Sequence, residues 1–323
     1  MTHKNEEEGG RMRNDLVAAS ALRGSSFRLH PSSLLCGVVL FTQFLWMGPS
    51  HSADSAMDKE AAKQEEVYKS RGENVPAGYV VDRSLLAYVA GLPAGFDRSL
   101  ADLGPTDRWL DIGAGEGKAI LDYYNPRYDA MHPQRRGPKG RSVAISIEDR
   151  RTARWHETAK GLEANQITYW SGRRLREYSP EELGRFQLVT DLTGGFSYTR
   201  TLTLFMEKVL GALDLDGVFY TLLLDVLPEG AAGPSAYPDS LLLTEIQRSD
   251  GVSMRVCSWL KSISCVEVTC EPDTKSRRPV ELYRVRKTCN AVSVPHLELV
   301  GYGAGTPPLR RFQLGRPSWE IDQ

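Results

Sequence analysis

Short apolar runs alternate with helical patterns through the middle of the chain, which is typical of an α/β fold. The runs predict five successive strands at Trp109–Ile112, Val143–Ile147, Ile167–Trp170, Phe186–Asp191 and Val218–Val226. Apolar residues at helical spacing predict a helix that packs on the sheet: Leu202, Phe205, Met206, Val209, Leu210 and Leu213. Strands that are apolar on both sides are typical of a parallel sheet covered on both faces. The pattern therefore predicts a three-layer, doubly wound, mostly parallel sheet.

The flanking segments follow other patterns. Residues 57–71 favour a helix by propensity, and a second helix is predicted from about Asp82, with Leu85, Leu86, Val89 and Ala90 on one face. After the fifth strand, residues 252–263 favour a helix, and two strands at 265–270 and 280–286 flank a polar turn. The tail from Pro295 is rich in proline and is expected to be irregular. We thus divide the chain into a leader (1–56), a helical segment that caps the site (57–102), a main domain (103–290) and a tail (291–323).

The first strand leads directly into a glycine-rich turn and a helix that begins near Lys118. Gly113, Gly115 and Gly117 form the turn, which places backbone N–H groups at the carboxyl end of the strand, where open α/β sheets bind ligands. A dinucleotide-binding turn has a third glycine at the position that Lys118 occupies here. Asp111 lies two residues before the first glycine, where its charge would repel a pyrophosphate. A carboxylate there suits the sulfonium and amino groups of S-adenosylmethionine.

This stretch resembles the first motif of class I S-adenosylmethionine-dependent methyltransferases, D/E-x-G-x-G-x-G. Asp111, Gly113, Gly115 and Gly117 match it position by position, and Ala114 lies within the same turn. The resemblance implies a Rossmann-like, seven-stranded sheet closed by a C-terminal antiparallel hairpin, covering about residues 103–287. It also implies S-adenosyl-L-methionine as the cofactor, with all five residues at its binding site.

The resemblance places further cofactor contacts after the next strands. Glu148, with Asp149 as the alternative, is expected to accept hydrogen bonds from the ribose hydroxyls; a carboxylate stabilising a helix N-terminus is the structural alternative for Glu148. Gly172 and Arg173 follow the third strand, near the adenine, where the family has an acidic or polar residue and Arg173 departs from it. Asp191 begins the loop expected to face the reacting methyl group.

The expected function is methyl transfer to a small-molecule acceptor. Enzymes that methylate nucleic-acid bases often carry N/D-P-P-Y in the loop that here reads Asp-Leu-Thr-Gly (191–194), and the formal net charge is −1, so no nucleic acid is expected as a partner. The alternatives are aminopropyl transfer from the decarboxylated donor and a catalytically silent S-adenosylmethionine-binding module. The pattern identifies no catalytic base.

The leader carries a separate signal. Residues 34–48 are apolar, follow several arginines and precede small residues, as in a signal peptide. The run is short for a bilayer span, which takes roughly twenty residues, and membrane contact is expected only there. Export or membrane targeting is the prediction; the alternatives are a cytoplasmic protein that truly starts at Met57 and a harmless apolar tail.

The cysteines bear on the same question. Four of them, Cys257, Cys265, Cys270 and Cys289, are clustered near the C-terminus. Their even number suits two disulfides, and free buried thiols are the alternative. Their spacing lacks the C-x-x-C pairs of zinc sites, so no metal is expected.

Overall fold

The structure is a computed structural model that describes residues 82–133, 137–227, 233–238, 240, 242–272, 279–304 and 307–315. These residues belong to one unit of the chain, residues 50–323. The predicted helix at 57–71 and the signal-like run at 34–48 lie outside the described residues.

A seven-stranded sheet organises the fold, and its strand order is β3-β2-β1-β4-β5-β9-β8. Its strands are β1 (Arg108–Ile112), β2 (Arg141–Ser146), β3 (Ile167–Ser171), β4 (Phe186–Leu192), β5 (Leu213–Leu223), β8 (Val266–Pro272) and β9 (Glu281–Lys287). The first five strands are parallel, while β9 is antiparallel to both β5 and β8. The predicted doubly wound sheet with a closing antiparallel hairpin is confirmed.

Short helices cover the sheet and connect its strands. They are α1 (Leu85–Gly91), α2 (Phe96–Ala101), α3 (Lys118–Tyr123), α4 (Pro126–Met131), α5 (Ala153–Lys160), α6 (Pro180–Leu183), α7 (Gly195–Tyr198), α8 (Leu202–Ala212) and α9 (Val256–Lys261). Single 3-10 turns occur at Leu175–Glu177 and Pro234–Ala236. Of the helices that the structure describes, none is both long and apolar enough to cross a bilayer.

Both faces of the central strands are buried, which accounts for their continuous apolar sequences. Trp109 and Leu110 are neighbours in β1 and both are fully buried, but they belong to different hydrophobic clusters on opposite faces. Fully burying one large apolar side chain stabilises a fold by about 1.5–3 kcal/mol. The two clusters therefore hold β1, and the turn that follows it, rigidly in place.

Helix α1 confirms the predicted helix but not its predicted buried face. Leu85 and Tyr88 are buried, whereas Leu86 is 76% exposed and Val89 is 40% exposed. The Leu85 N–H is capped by the Asp122 carboxylate of α3, at 3.1 Å, which turns the Tyr88 side of α1 towards β1. Leu85 and Tyr88 thus define the buried face, and the aliphatic side chains of Leu86 and Val89 are on the exposed side.

The prediction of an irregular tail is wrong for the part of the tail that the structure describes. Strands β10 (Leu297–Ala304) and β11 (Leu309–Leu314) pair with each other, and β11 pairs in parallel with β6 (Leu243–Gln247). With β7 (Ser253–Met254) they form a four-stranded sheet of order β10-β11-β6-β7. In β11 the buried residues alternate with partly exposed ones, the period of a half-buried strand. Of the tail's four prolines, Pro295 precedes β10, Pro307 and Pro308 lie between the two strands, and Pro317 lies outside the described residues.

The C-terminal cysteines are paired in the structure. Cys257 of α9 is bonded to Cys270 of β8, and Cys265 is bonded to Cys289, with Cα–Cα separations of 6.1 and 5.0 Å. Both separations lie in the usual range for disulfides. The cysteines therefore form two disulfides and are not free thiols: the first joins the outer hairpin to α9, and the second links the residues just before β8 and just after β9. No group of side chains suited to a metal ion occurs among the residues described above.

Candidate functional site

The glycine turn lies at the carboxyl end of β1, as expected. Gly113, Gly115 and Gly117 have φ angles of +73°, +59° and +74°, in the left-handed region. The N–H groups of Gly113 and Ala114 both donate to the carbonyl oxygen of Ile145 in β2, at 3.0 Å. The turn is thus anchored to the neighbouring parallel strand.

Two of these glycines are also required by close packing. A Cβ on Gly113 would lie 2.9 Å from the Cα of Gly194, in the loop after β4. A Cβ on Gly117 would lie 2.4 Å from the ring of Trp155 in α5. Separations under 3 Å force something to move, so the turn tolerates no side chain at either position. The turn therefore sits tightly between the β4 loop and α5.

Asp111 is fully buried beneath the turn and hydrogen-bonded within the protein. Its two oxygens each lie 2.9 Å from the Tyr88 hydroxyl of α1, and Oδ1 also accepts from the Thr190 hydroxyl at 2.8 Å. Burial raises the pKa of Asp111 to about 7, the two hydrogen bonds act in the opposite direction, and the charge of Asp191 raises it further. Near neutral pH this carboxyl group is therefore poised between its two protonation states.

Asp191 is a second buried carboxyl group, at the end of β4. Its oxygens accept hydrogen bonds from the N–H groups of Gly194, at 2.6 Å, and Phe196, at 2.9 Å. The side chain thereby shapes the loop that leads into α7. Burial raises the pKa of Asp191 to about 7, against the lowering effect of the backbone hydrogen bonds.

The two carboxyl groups leave neighbouring strands at the same edge of the sheet. In the β1–β4 pairing, Asp111 is opposite Thr190 and Ile112 is opposite Asp191. Among the ion pairs of the described residues, none within 4.0 Å includes either aspartate. Arg83 lowers both pKa values by its charge alone. Two buried acids with no ion-paired cation form a site that favours a cationic ligand.

A second set of contacts joins the loop after β2 to the glycine turn. Arg150 lies 3.8 Å from the Glu148 carboxylate and 3.1 Å from the Asp82 carboxylate. The other oxygen of Asp82 accepts the Glu116 N–H at 2.7 Å. Asp82 precedes α1, so the helical segment contacts both the glycine turn and the loop after β2.

The Tyr169 hydroxyl of β3 completes this connection. It lies 2.6 Å from the carbonyl oxygen of Gly115 and 3.0 Å from that of Glu148, and it accepts the Arg150 N–H at 3.2 Å. The structure therefore brings the glycine turn and Glu148 together at one edge of the sheet. The Glu148 side chain remains partly exposed there.

Other predicted residues take different positions. Asp149 points outwards and binds Arg151 through both oxygens, and the hydrogen bonds from Arg151 lower the pKa of Asp149 to about 2. Gly172 has a φ of +82° at the end of β3, with open space where a side chain would be. Arg173 is paired with Glu182 of α6 at 2.9 Å and lies over the Tyr178 ring. Of these residues, Asp149 and Arg173 are engaged away from the glycine turn.

The second sheet reaches the site through one buried cation. Arg310 of β11 is fully buried and donates to the carbonyl oxygens of Phe196 and Thr199, at 2.9 and 3.0 Å. It also donates to the Thr244 hydroxyl of β6. Burial lowers the pKa of Arg310 to about 10. The loop after β4 is thus held by Asp191 through its N–H groups and by Arg310 through its carbonyl groups.

Sequence reasoning missed four residues that build the site. The sequence placed Thr190 in the predicted fourth strand, next to Asp191, but gave no sign of its contact with Asp111. Tyr88 lay in a predicted helix, but on the side that the aliphatic pattern assigned to solvent. Asp82 and Tyr169 act through contacts that are distant in sequence, so no local signal identifies them.

Comparisons with known proteins find similarity in solved structures alone. No protein-family model and no curated protein sequence matches the chain. Phosphoethanolamine N-methyltransferase 2 of Haemonchus contortus, in complex with S-adenosyl-L-methionine, matches with 13% identity and a TM-score of 0.39, over 64% of this chain and 57% of that one. The chain thus spans little more than half of that enzyme's length.

Two further matches cover most of the compared protein. An rRNA methylase from Streptococcus thermophilus matches with 12% identity and a TM-score of 0.37, over 60% of this chain and 94% of that one. The N-methyltransferase NodS from Bradyrhizobium japonicum WM9 matches with 14% identity and a TM-score of 0.35, over 59% and 92%.

Proposed function

We propose that this chain is an S-adenosylmethionine-dependent methyltransferase that acts on a small-molecule acceptor. The observation that carries the proposal is the pair of buried carboxyl groups, Asp111 and Asp191, beside the glycine turn. A positively charged donor would add opposite charge next to this pair, and it would favour their ionised forms. A phosphate-bearing cofactor would instead add negative charge to the same site.

The residues present suit the parts of this donor. The Asp111 carboxylate would bind the amino group of the methionine portion, next to the glycine turn. Glu148 is partly exposed and lies near Gly115 through the contacts of Tyr169. Its carboxylate would accept hydrogen bonds from the ribose hydroxyls. The open space at Gly172 leaves room for the adenine beside the end of β3. The loop that Asp191 shapes would face the methyl group.

Positioning supplies most of the catalysis in this proposal. The donor, when bound, supplies an electrophilic methyl group on a sulfonium. Asp111 and Glu148 would hold the donor at two separated points, which fixes the direction of the methyl group. The loop between Asp191 and Tyr198, held by Asp191 and Arg310, would present the acceptor from the opposite side. Holding two reactants in line can contribute roughly 7–11 kcal/mol to a rate enhancement.

The absence of Pro-Pro from the loop at 191–194 and the near-neutral charge of the chain support a small-molecule acceptor over a nucleic acid. The alternatives of aminopropyl transfer and a silent binding module make different predictions. An aminopropyl transferase would prefer the decarboxylated donor. A silent module would bind the donor without turnover.

The test measures donor binding by calorimetry and transfer of a labelled methyl group to a panel of small amines, alcohols and acids. We expect the parent chain to bind S-adenosylmethionine and Asp111→Asn to lose that binding. Asp107→Asn is the matched control, because Asp107 lies at the opposite end of β1. A parent chain that does not bind the donor would exclude the proposal, and binding without transfer to any acceptor class would favour the silent module.

A further inference from the structure

The Tyr88 hydroxyl is hydrogen-bonded to the Asp111 carboxylate, which is the group that the proposed function assigns to donor binding. It lies 2.9 Å from each oxygen of Asp111, and the Tyr88 ring is 2% exposed. The ring packs edge-on against Trp109, with 6.5 Å between the centroids, and also contacts Phe96. Together with the bond from Thr190, this contact leaves Asp111 with no exposed surface.

A ligand cation therefore cannot reach the Asp111 carboxylate while Tyr88 is in this position. Burial, and next the charge of Asp111, raise the pKa of Tyr88 well above its ordinary value. The hydroxyl thus stays protonated and is a hydrogen-bond donor throughout the neutral range. It makes the same kind of contact that a ligand ammonium group would make.

Helix α1 is attached in a way that allows Tyr88 to leave. The helix has seven residues, and its outer side is exposed at Leu86 and Val89. Its N-terminus is held by the Ser84 and Asp122 side chains. A short helix that is buried on one side opens locally at a lower free-energy cost than the strands beneath it.

We propose that Tyr88 and the ammonium group of the donor compete for Asp111, so that Tyr88 sets the affinity for the donor. The inference rests on the proposed function, because it takes Asp111 as a donor contact. Donor binding would move the hydroxyl off the carboxylate and loosen α1. The charged groups that face this carboxylate are Arg83, before α1, and Asp191, on β4.

The variant Tyr88→Phe tests whether the Tyr88 hydroxyl competes with the donor for Asp111 or instead helps to form the donor site. If the hydroxyl competes, its removal costs the free protein a hydrogen bond to a charged group but costs the complex nothing. The dissociation constant for S-adenosylmethionine should then fall at least ten-fold, as expected for one hydrogen bond to a charged group. If the hydroxyl instead helps to form the donor site, the same variant should bind more weakly.

The measurement is calorimetric titration with S-adenosylmethionine at pH 8, where Asp111 is largely ionised. Tyr220→Phe is the matched control, since Tyr220 is buried in the same cluster and its hydroxyl contacts Ser99 instead, at 2.8 Å. We expect tighter binding by Tyr88→Phe and unchanged binding by Tyr220→Phe. Equal or weaker binding by Tyr88→Phe, in a parent chain that binds the donor, would overturn this inference and leave the proposed function intact.

A second measurement needs no variant. Amide hydrogen exchange in α1 of the parent chain should become faster when saturating S-adenosylmethionine is added, because the helix loses its Tyr88 contact. Slower exchange in α1 would show that the helix closes over the donor and would overturn the competition. A parent chain that binds no donor would overturn both the inference and the proposed function.

Discussion

The Thr190 hydroxyl donates a hydrogen bond to the Asp111 carboxylate across the β1–β4 pairing, at 2.8 Å. Thr190 in turn accepts the indole N–H of Trp109, also at 2.8 Å. The strands therefore fix the carboxylate from inside the sheet, while Tyr88 contacts it from α1. This arrangement orients the Asp111 carboxyl group, whose pKa is raised by burial. Because burial disfavours its ionised form, ionised Asp111 lowers the stability of the protein when no ligand is bound.

This cost predicts a pH-dependent stability difference between the parent and Asp111→Asn. The pKa of Asp111 is raised from 3.8 to about 7 in the folded protein, so the folded state holds this proton more tightly than the unfolded state. Stability from this group is therefore present at low pH and lost as the pH rises from about 4 to about 7. That difference in pKa corresponds to at most about 4 kcal/mol, less any coupling to Asp191.

Asp111→Asn should accordingly unfold at higher urea concentration than the parent at pH 8, with the difference shrinking towards pH 4. The measurement is urea unfolding of both proteins at several pH values. A variant that is less stable than the parent at pH 8 would contradict the assigned protonation behaviour.

Substitutions of Glu148 and of its neighbour Asp149 test the proposed ribose contact. Glu148→Ala should weaken S-adenosylmethionine binding at least ten-fold, because it would remove two hydrogen bonds to a charged group, each worth about 1.5–3 kcal/mol. Glu148→Gln should lose less. Arg150 would keep its place in either variant, since it also pairs with Asp82 at 3.1 Å.

Asp149→Ala is the control for this experiment, because Asp149 is turned outwards and bonded to Arg151. Its dissociation constant, measured by the same calorimetry, should match that of the parent. Loss of binding in Asp149→Ala together with normal binding in Glu148→Ala would transfer the ribose role to the neighbour.

The features that sequence predicted are those with a local physical cause. The glycine turn follows from the need for left-handed backbone at Gly113 and Gly117, and β1 follows from burial on both faces. Glu148 could be placed because a carboxylate directly after a strand necessarily lies at the ligand-binding edge of the sheet. These inferences need no knowledge of distant contacts.

The remainder depends on contacts between distant segments. Strand β11 pairs with β6, and Arg310 reaches the carbonyl groups of Phe196 and Thr199. A charged residue in a proline-rich tail gives no local sign that it will be buried. In α1 the aliphatic residues suggested one buried face, but the hydrogen bond of Tyr88 to Asp111 selects another.

The packing of the glycine turn predicts unequal effects of two alanine substitutions. Both Gly117 and Gly172 have positive φ, so alanine at either should cost about 1–2 kcal/mol in backbone strain. At Gly117 the new methyl group would also meet the Trp155 ring at 2.4 Å, whereas the space at Gly172 is open. Overpacking of this kind costs about 1–3 kcal/mol more.

Urea unfolding should therefore rank Gly117→Ala as clearly less stable than Gly172→Ala. In the Trp155→Leu background, the smaller side chain should relieve the clash and reduce the cost of Gly117→Ala to that of Gly172→Ala. Equal costs in the parent background would show that the turn can shift away from α5.

The two cysteine pairs predict that the protein matures in an oxidising compartment. Disulfides persist in oxidising compartments and are rare in the cytosol. Closing a loop of the size between Cys257 and Cys270, 13 residues apart in sequence, stabilises a fold by about 3 kcal/mol. Protein purified from its native host should then carry no free thiol at Cys257, Cys265, Cys270 and Cys289.

The same sample tests the leader. The signal-like run at 34–48 predicts cleavage between about Ser52 and Ala56, so the mature N-terminus should fall there. The supply of S-adenosylmethionine inside cells favours the competing hypothesis of a cytoplasmic protein that starts at Met57. Both products have nearly the same folded region, so activity cannot distinguish them, but the N-terminal residue and the thiol count can. Four free thiols in a soluble cytosolic fraction would contradict export, because the pairs between α9, β8 and the segment after β9 would then not form in the cell.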